Sequence, residues 1–405
     1  MKPHVGQTLE LEIIKLVHGG WGLARHEGFV VFVKGVLPGE QIIAVIREVK
    51  KNHANAELVA LEQASNARVS HVWPEAEWVR PAHQRAGGAD YGHIDRPEQL
   101  TFKTDILRDS LERFGHVDPD IAALTSVAAV GGETDGLHWR TRVSLQVNDE
   151  GIAGPYAENS HTVVPVETLP LAVEEIEQLG AHRGSWSGHS RIRLIRPTDG
   201  SARLVIDRQR PDLIVETVGQ HRFQLSDQGF WQVHSRAADT LFSQVKRLAL
   251  DVEVQEGATH LDLYGGVGLF ARALLDAYGE NTAVVTVEAD SDASHKAGIN
   301  LSDAAGARAV ASTAKAYLTR LHGQESPIGT VVLDPPRSGA EKEVISELLR
   351  LSPKAIIYVA CDPVALGRDI SRFAEGGYQV AEVNGFDLFP HTHHMEAVAL
   401  LTSER

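Results

Sequence analysis

At residues 261–270 the chain reads LDLYGGVGLF, which predicts an apolar strand, a glycine-rich turn and the first turn of a helix. Glycines at such a turn let the backbone pass close to a ligand. The next strand ends in Glu288, about 20 residues further on, and an acid at that distance suits a ribose diol. A full Gly-x-Gly-x-x-Gly is absent, so S-adenosylmethionine fits this spacing as well as a dinucleotide. The alternative is a tight turn followed by a surface glutamate.

Outward from this stretch, the last third of the chain alternates between buried-type strands and helices. The predicted strands are His260–Leu263, Ala283–Val287, Gly329–Leu333 and Ala355–Val359, and the predicted helices are Leu269–Ala277, Asp292–Asp303, Glu341–Leu349 and Val364–Phe373. That alternation is typical of a doubly wound, Rossmann-like α/β sheet, which holds its chemistry at the carboxyl ends of the strands. We therefore predict an α/β domain over residues 227–405.

The N-terminal segment has a different pattern, with short strands separated by glycine turns. Gln7–Leu16, Phe29–Val33 and Gln41–Val49 are the clearest of these strands. About five short strands with glycine punctuation predict a small β-barrel of the oligonucleotide-binding (OB) type over residues 1–63. Because the positive and negative charges in this segment nearly balance, the alternative interpretation is a β-module without a specific role in RNA binding.

Between these two regions, residues 64–226 predict a connector, a helix and a central domain. Residues 64–99 show no sustained period, which fits a connector or a lost cofactor loop, and Glu98–Phe114 has apolar residues at helical spacing. Apolar residues then alternate with polar ones in five short segments, which predicts a mostly antiparallel α+β domain. These segments are Arg142–Val147, Thr162–Val166, Arg191–Ile195, Ala202–Ile206 and Leu213–Thr217.

Length and composition limit the class of protein. The chain has 405 residues, more than a single hydrophobic core normally supports, so we expect two or three domains. Its single cysteine excludes a disulfide framework and a zinc or iron–sulfur site built from several thiolates. No stretch of about 18 apolar residues occurs, so we expect a cytoplasmic protein without a membrane partner. The net charge of −15 argues against a generally basic surface. It does not argue against one positive cleft that holds a flipped base.

Two further strand ends carry candidate site residues. Asp334 follows a buried strand and precedes two prolines, which fix the backbone so that the carboxylate points into a cleft. Cys361 follows an apolar run, and a thiolate is the side chain that adds reversibly to an electron-poor carbon. The alternatives are a structural turn capped by Asp334 and a small buried hydrophobe at Cys361.

Near the C-terminus, Glu396 stands just before a terminal apolar strand. Burial of this acid would raise its pKa into the range that is useful for a base. His391, His393 and His394 lie nearby, but without a helical His-x-x-x-His we expect them to line the cleft as polar residues and predict no metal site.

Taken together and in this order, these segments resemble the bacterial RNA 5-methyluridine methyltransferase family. The barrel residues Gly19-Gly20-Trp21-Gly22-Leu23-Ala24 and 33–40 resemble the TRAM domain, and the resemblance continues through Phe230-Trp231-Gln232-Val233-His234 to the Glu396 segment. It implies that S-adenosylmethionine is held by Gln232, Tyr264, Glu288 and Asp334. It also implies that Cys361 is the nucleophile and Glu396 the base.

The chain departs from that family at several positions. Many members carry an iron–sulfur cluster on four cysteines, but here residues 85–93 read RAGGADYGH, so we expect no cluster. Leu269 stands where the family often has a polar residue, and His234 where it often has Asn. These differences concern cofactor contacts and RNA docking.

The expected activity is S-adenosylmethionine-dependent methylation of uridine C5 in RNA, through a Cys361–C6 adduct from which Glu396 removes the C5 proton. The target uridine would be flipped out of a loop of 23S rRNA, favoured here over tRNA because of the barrel, and no obligate protein partner is inferred. Two alternatives stay open. One is methylation at another RNA position, such as cytosine C5 or a guanine amine, and the other is a non-catalytic RNA-binding adaptor.

Overall fold

The computed structural model describes residues 2–131, 135–158, 160–207, 209–253, 256–323 and 326–403. In the first of these ranges, five strands close into a barrel in the order β1-β2-β3-β5-β4. The strands are β1 (Thr8–Val17), β2 (Trp21–His26), β3 (Phe29–Lys34), β4 (Gln41–Val49) and β5 (His53–Gln63). Alternate residues of β1 and β4 point into the barrel core, as the period of a strand requires. The predicted N-terminal barrel is confirmed.

A connector leads from the barrel to a long helix. Two short 3-10 turns (Pro74–Ala76 and Ala82–Gln84) precede α1 (Arg96–Gly115), which has Pro97 in its first turn, where a missing N–H is tolerated. α2 (Pro119–Leu124) and the short strand β6 (Val127–Ala129) follow.

The central sheet is antiparallel and has the order β10-β9-β7-β8 among the described residues. Its strands are β7 (Arg142–Val147), β8 (Ala153–Gly154), β9 (Arg191–Ile195) and β10 (Arg203–Ile206), and α3 (Glu174–Gln178) lies between β8 and β9. The predicted strand at Thr162–Val166 is wrong. Val163 makes only an isolated bridge to Tyr156, because Pro165 has no N–H with which to continue a ladder.

β11 (Leu213–Val218) and β12 (His221–Ser226) form a separate hairpin. Sequence analysis grouped β11 with the central strands. Its buried residues Ile214 and Val218, like Phe223 of β12, pack in one cluster with Ile195 and Val205 of the central sheet and with the first helices of the C-terminal region.

The C-terminal region alternates helices and strands. Its elements are α4 (Ala237–Leu250), β13 (Thr259–Leu263), α5 (Leu269–Tyr278), β14 (Val284–Glu288), α6 (Ser291–Asn300), β15 (Ala307–Ala311), α7 (Ala314–Arg320), β16 (Ile328–Leu333), α8 (Lys342–Leu351), β17 (Ala355–Ala360), α9 (Pro363–Glu375), β18 (Tyr378–Asp387) and β19 (Glu396–Ser403). In the described part of the chain, the strands form one sheet of order β15-β14-β13-β16-β17-β19-β18-β6.

This sheet is parallel from β15 to β17, and β19 runs antiparallel to both of its neighbours. Successive residues of each strand face opposite cores: Ile356 and Tyr358 pack on one side, Ile357 and Val359 on the other. Both faces are therefore covered, which explains the continuous apolar character of β17.

The described structure ties part of the segment 64–226 to this sheet. β6 pairs with β18, and α1 lies against α9. The domain limits 1–63, 64–226 and 227–405 stay a prediction, but α1, β6 and the β11–β12 hairpin all pack with the C-terminal region. None of the helices among the described residues has the length and apolar character needed to cross a membrane.

Candidate active site

The carboxyl ends of the parallel strands open into a cleft of about 800 Å³, called the main cleft here. β13 lies where the strand order reverses, because the chain passes to β14 and β15 on one side and to β16 and β17 on the other. Open α/β sheets bind ligands at such a switch point. All six site residues predicted from the sequence line this cleft: Gln232, Tyr264, Glu288, Asp334, Cys361 and Glu396.

The glycine turn after β13 is built around a carboxylate. Oε2 of Glu288 accepts a hydrogen bond from the Gly266 N–H at 3.0 Å, and Oε1 accepts one from the Asp290 N–H at 2.7 Å. Tyr264 holds a left-handed φ of 64°, which a non-glycine residue adopts rarely and usually at a functional site. A Cβ on Gly265 would lie 2.0 Å from Thr286 Oγ1, so that position requires glycine.

Asp262 supports this turn from below and was missed by the sequence analysis, although it stands in the quoted stretch. Its Oδ2 accepts hydrogen bonds from the Ala271 N–H and the Thr286 hydroxyl, both at 3.0 Å. Burial raises the pKa of Asp262 to about 7 against those hydrogen bonds. This side chain therefore fastens the start of α5 to the strand ends.

The register of β17 and β19 brings Cys361 and Glu396 together. Ala360 pairs with Ala397 in an antiparallel ladder, so Cys361 and Glu396 occupy the next opposed positions. Leu333 pairs with Tyr358 on the other side of β17, which sets Asp334 one strand away at the same edge of the sheet.

Two site acids, Asp334 and Glu396, and the Cys361 thiol all have raised pKa values. Burial and then the Asp334 charge raise the pKa of Glu396 well above its ordinary value, with Arg337 opposing. Burial and then Asp262 raise the pKa of Asp334 to about 7. Burial, followed by Glu396, raises the pKa of the Cys361 thiol to about 12, again against Arg337. Strongly perturbed pKa values in neighbouring groups of one cleft are typical of sites that hold and transfer protons.

Sequence analysis missed the two arginines of this cleft. Arg140 comes from the loop before β7, far from any motif, and no local signal could have placed it here. Arg337 stands in the quoted Asp334-Pro-Pro-Arg segment, and its charge acts on Cys361 and Glu396. His394 lines the main cleft as expected, and His393 lines a neighbouring cleft.

His391 does not line either cleft, contrary to expectation. Its ring is buried, with Nδ1 3.0 Å from Gln99 Nε2 and Nε2 2.7 Å from the Asp135 carbonyl. This histidine therefore holds the loop before β19 in place.

The chain does not fit an iron–sulfur cluster, because its one cysteine lies in the main cleft. Within the described ranges, no group of three or more His, Cys, Asp or Glu side chains is arranged to hold a metal ion. The main cleft does fit S-adenosylmethionine: Glu288 is placed beside the glycine turn to accept from a ribose diol, and the acids Asp334 and Glu396 complement a sulfonium charge.

An open α/β sheet with acids and a thiol at its switch point, preceded by a five-stranded barrel, is typical of an α/β enzyme with an appended OB-type domain. Comparison with known proteins gives the family. Residues 219–404 match the tRNA (Uracil-5-)-methyltransferase family, and residues 2–59 match the TRAM domain.

Two curated relatives support this assignment over the full length. The chain is 35% identical to an uncharacterized RNA methyltransferase of Streptomyces avermitilis, covering 98% of each chain. It is 30% identical to one of Bifidobacterium longum, covering 97% of this chain and 96% of the relative. The chain belongs to this RNA methyltransferase family and is an enzyme of it.

A solved structure shares the whole fold. The Pyrococcus abyssi tRNA (uracil-54, C5)-methyltransferase, in complex with S-adenosyl-L-homocysteine, superposes with a TM-score of 0.70 at 21% identity. The match covers 97% of this chain and 100% of that chain.

Proposed function

We propose that this enzyme transfers a methyl group from S-adenosylmethionine to C5 of a uridine in RNA, with Cys361 as nucleophile and Glu396 as base. The observation that carries the proposal is the register of β17 and β19: their last pair, Ala360–Ala397, brings Cys361, the residue after β17, next to Glu396, the first residue of β19. Both residues line the same cleft as the glycine turn and Glu288. Gln232, Tyr264, Glu288 and Asp334 would hold the cofactor, since all four line the same cleft.

The reaction explains why both residues are needed. Uracil C5 is a weak nucleophile; addition of the Cys361 thiolate to C6 forms an S–C6 bond and moves the C5=C6 electron pair into an enolate. The bound cofactor supplies an electrophilic methyl group as a sulfonium. C5 then carries the new methyl and its original hydrogen. Glu396 takes that proton, the C5=C6 bond reforms, and the S–C6 bond breaks to return the thiolate.

The electrostatics of the cleft suit this division of roles. Because burial and Asp334 raise the pKa of Glu396, its carboxylate has a strong affinity for the C5 proton. Burial and Glu396 raise the pKa of Cys361 to about 12 and so favour its protonated form. Arg337 favours the thiolate, so it supports the addition step from the strand end next to Asp334.

The kind of RNA is a finer question. The sequence-based preference for 23S rRNA over tRNA rests on the barrel, but a tRNA-modifying enzyme with the same fold matches this chain almost throughout. The barrel therefore does not discriminate between 23S rRNA and tRNA as substrates. We keep 23S rRNA as the proposed substrate, and the experiment below examines both RNAs. A cytoplasmic location and the absence of an obligate protein partner are proposed with it.

A trapping experiment tests the chemistry. With S-adenosylmethionine and RNA that contains 5-fluorouridine, the enzyme should form a covalent, methylated complex that survives a denaturing gel. C5 then carries fluorine, which cannot leave as a proton, so elimination stops. A non-catalytic RNA-binding adaptor would give no such complex. An enzyme that methylates another position would methylate the RNA without a covalent band.

The RNA is identified by mapping 5-methyluridine in tRNA and in 23S rRNA from a strain that lacks the gene and from its parent. We expect one site to lose its methyl group in the deletion strain and to regain it when the purified enzyme is added. If neither RNA changes and no 5-fluorouridine complex forms, the proposed activity is wrong.

A further inference from the structure

A second cleft of about 640 Å³ adjoins the main cleft. It is formed by the barrel, the connector, the central domain and the loop before β19. Arg140, Arg337, Phe389 and His394 line both clefts and form their common wall. A chain that enters the main cleft can therefore continue into the second.

Arginine side chains without an acidic partner line the second cleft, although the net charge of the chain is −15. Among the described residues, Arg85, Arg140 and Arg337 form no ion pair with any carboxylate. Arg85 donates to the carbonyls of Trp78 and Arg80 at 2.6 and 2.9 Å, and its buried Nε has no hydrogen-bond partner in the described chain. Nε of Arg140 donates only to the Arg142 carbonyl, at 2.9 Å.

The carboxylates of this cleft, in contrast, are already engaged. Asp90 accepts from Nδ1 of His393 at 2.6 Å, and Glu158 pairs with Lys34 at 2.5 Å. Glu77 accepts from the N–H groups of His71 and Trp78 at 3.2 and 3.0 Å. An unpaired guanidinium is a phosphate ligand of fixed geometry, and three in one cleft favour the binding of an anion such as phosphate. Burial and the neighbouring Arg337 both lower the pKa of Arg140, so an anion between these two arginines would relieve their repulsion.

Flat side chains accompany these cations. Trp78 lines the cleft, and Tyr156 is 38% exposed and makes an edge contact with His161 at 5.3 Å between ring centroids. His93 is only 6% exposed, yet its Nε2 has no hydrogen-bond partner among the described residues. Aromatic faces beside free polar atoms and arginines are what single-stranded RNA binds.

We propose that the second cleft binds the nucleotide that flanks the target uridine, with its phosphate between Arg140 and Arg337, the next phosphate on Arg85, and its base against Tyr156. The inference rests on the proposed uridine methylation, since it assumes that the target base occupies the main cleft. It assigns a nucleotide-binding role to the cysteine-free segment 85–93.

The test compares Arg85→Gln with a matched control, Arg108→Gln. Arg108 also donates to two carbonyls, those of Thr125 and Ala123, but lines neither cleft. The probe is a fluorescent oligouridylate of twelve nucleotides, and its dissociation constant is measured at several KCl concentrations. Arg85→Gln should weaken binding about tenfold at low salt and reduce the slope of log K against log[salt] by about 0.7, the value for one phosphate contact on a single strand.

Arg108→Gln should leave both quantities as in the wild type. Equal affinity and slope in Arg85→Gln, or no binding of the oligouridylate by the wild type, would overturn the second-cleft proposal. Titration with S-adenosylmethionine and 5-fluorouridine trapping, both performed on the wild-type enzyme, separate this failure from failure of the proposed activity, because they test the main cleft without altering Arg85.

A second measurement uses the unaltered protein, in case Arg85→Gln does not fold. 4-Thiouridine is placed at each position of the dodecamer in turn and irradiated on the wild-type enzyme, and the cross-linked peptides are identified by mass spectrometry. We expect cross-links in the peptides that contain Trp78 or Tyr156. Cross-links confined to peptides outside both clefts would exclude the proposal.

Discussion

Nε2 of His18, in the turn between β1 and β2, lies 3.1 Å from Oδ2 of Asp362, the residue that follows Cys361. Asp362 also caps α9, because its Oδ1 accepts from the Ala365 N–H at 2.8 Å. The barrel therefore contacts the strand end that carries the proposed nucleophile, and the same carboxylate starts the helix behind it.

This contact affects the titration of Asp362. Burial pushes its pKa up, but hydrogen bonds from His18 and Ala365 outweigh burial, and the pKa of Asp362 is lowered. For an acid with a lowered folded-state pKa, the ionised form adds stability that is present above the unfolded pKa. That stability is lost as the pH falls through the folded pKa. The contribution of the Asp362 carboxylate to this attachment should therefore be present at neutral pH and be lost in acid.

We predict that His18→Ala slows RNA methylation several-fold but leaves S-adenosylmethionine affinity unchanged. The pair is partly exposed, so its loss should lower the free energy of unfolding by no more than about 1 kcal/mol. Methylation kinetics with calorimetric titration of the cofactor give both readouts. His26→Ala, at the other end of β2, is the control within the barrel and should match the wild type. Full methylation by His18→Ala would show that the contact only joins two domains.

Glu288→Ala should weaken S-adenosylmethionine binding roughly tenfold to hundredfold, since charge-assisted hydrogen bonds contribute about 1.5–3 kcal/mol. Loss of its bonds to the Gly266 and Asp290 N–H groups also loosens the turn that meets the cofactor. Calorimetric titration measures the effect. Glu280→Ala is the control: Glu280 pairs with Arg272 away from the main cleft, and Arg272 keeps Asp303 as a partner. An unchanged dissociation constant for Glu288→Ala would mean that the turn binds another ligand.

The cofactor-free protein should become less stable as the pH rises, because of Asp334. Burial raises the pKa of this acid from 3.8 to about 7, so the folded state holds the proton more tightly than the unfolded state. The contribution of Asp334 to the free energy of unfolding then falls between about pH 4 and pH 7 and stays low above pH 7. Asp334→Asn removes this loss and should raise the free energy of unfolding at pH 8 by about 1–3 kcal/mol, with little change at pH 4.

Asp362→Asn provides a control of opposite sign, because the pKa of Asp362 is lowered. It should be less stable than the wild type at pH 8. Denaturant unfolding of the three proteins at pH 4, 6 and 8 measures all of these differences. An Asp334→Asn protein without any gain at pH 8 would show that Asp334 is not penalised by burial in the folded protein.

The strand ends could be predicted from sequence because their signals are local. An apolar run that stops at Tyr264, Asp334 or Cys361 shows where the strand ends, and parallel strands must end at one edge of the sheet. The proximity of Cys361 and Glu396 followed only from the family resemblance and not from local signals, since it depends on β19 inserting antiparallel beside β17 across 35 residues. The position of Arg140 in the main cleft could not be predicted for the same reason. Arg140 belongs to the central domain, and no sequence spacing links it to the motifs of the C-terminal region.

Short polar elements were also beyond the sequence analysis. β15 (Ala307–Ala311) and α7 (Ala314–Arg320) are absent from the predicted set, because β15 is an edge strand without a continuous apolar run and α7 has only two turns. The opposite error occurs at Thr162–Val166, where the alternation of apolar and polar residues predicted a strand that Pro165 prevents.

We predict that the active enzyme contains no iron. Its only cysteine is the proposed nucleophile, and residues 85–93 contain none. Elemental analysis of an anaerobically purified, active sample checks this. Stoichiometric iron in such a sample would show that the segment 85–93 binds a cofactor through other ligands.

The last prediction separates the two proposed catalytic residues. If Cys361 adds to C6 and Glu396 removes the C5 proton, Cys361→Ala should abolish both methyl transfer and covalent RNA capture. Glu396→Gln should instead methylate the RNA and release it slowly, because elimination cannot occur until the C5 proton leaves. Gln keeps the size of Glu, so the packing of the buried position is preserved.

Denaturing gels with substrate RNA and radiolabelled S-adenosylmethionine distinguish the variants. Glu396→Gln should give a shifted band that carries the label, whereas Cys361→Ala should give none. Asp303→Asn serves as the control, because Asp303 lines neither cleft and its partner Arg272 keeps Glu280, and it should turn over without accumulating a shifted band. Normal turnover by Cys361→Ala would return this cysteine to the role of a buried hydrophobe. Rapid release by Glu396→Gln would assign the proton to another base of the main cleft.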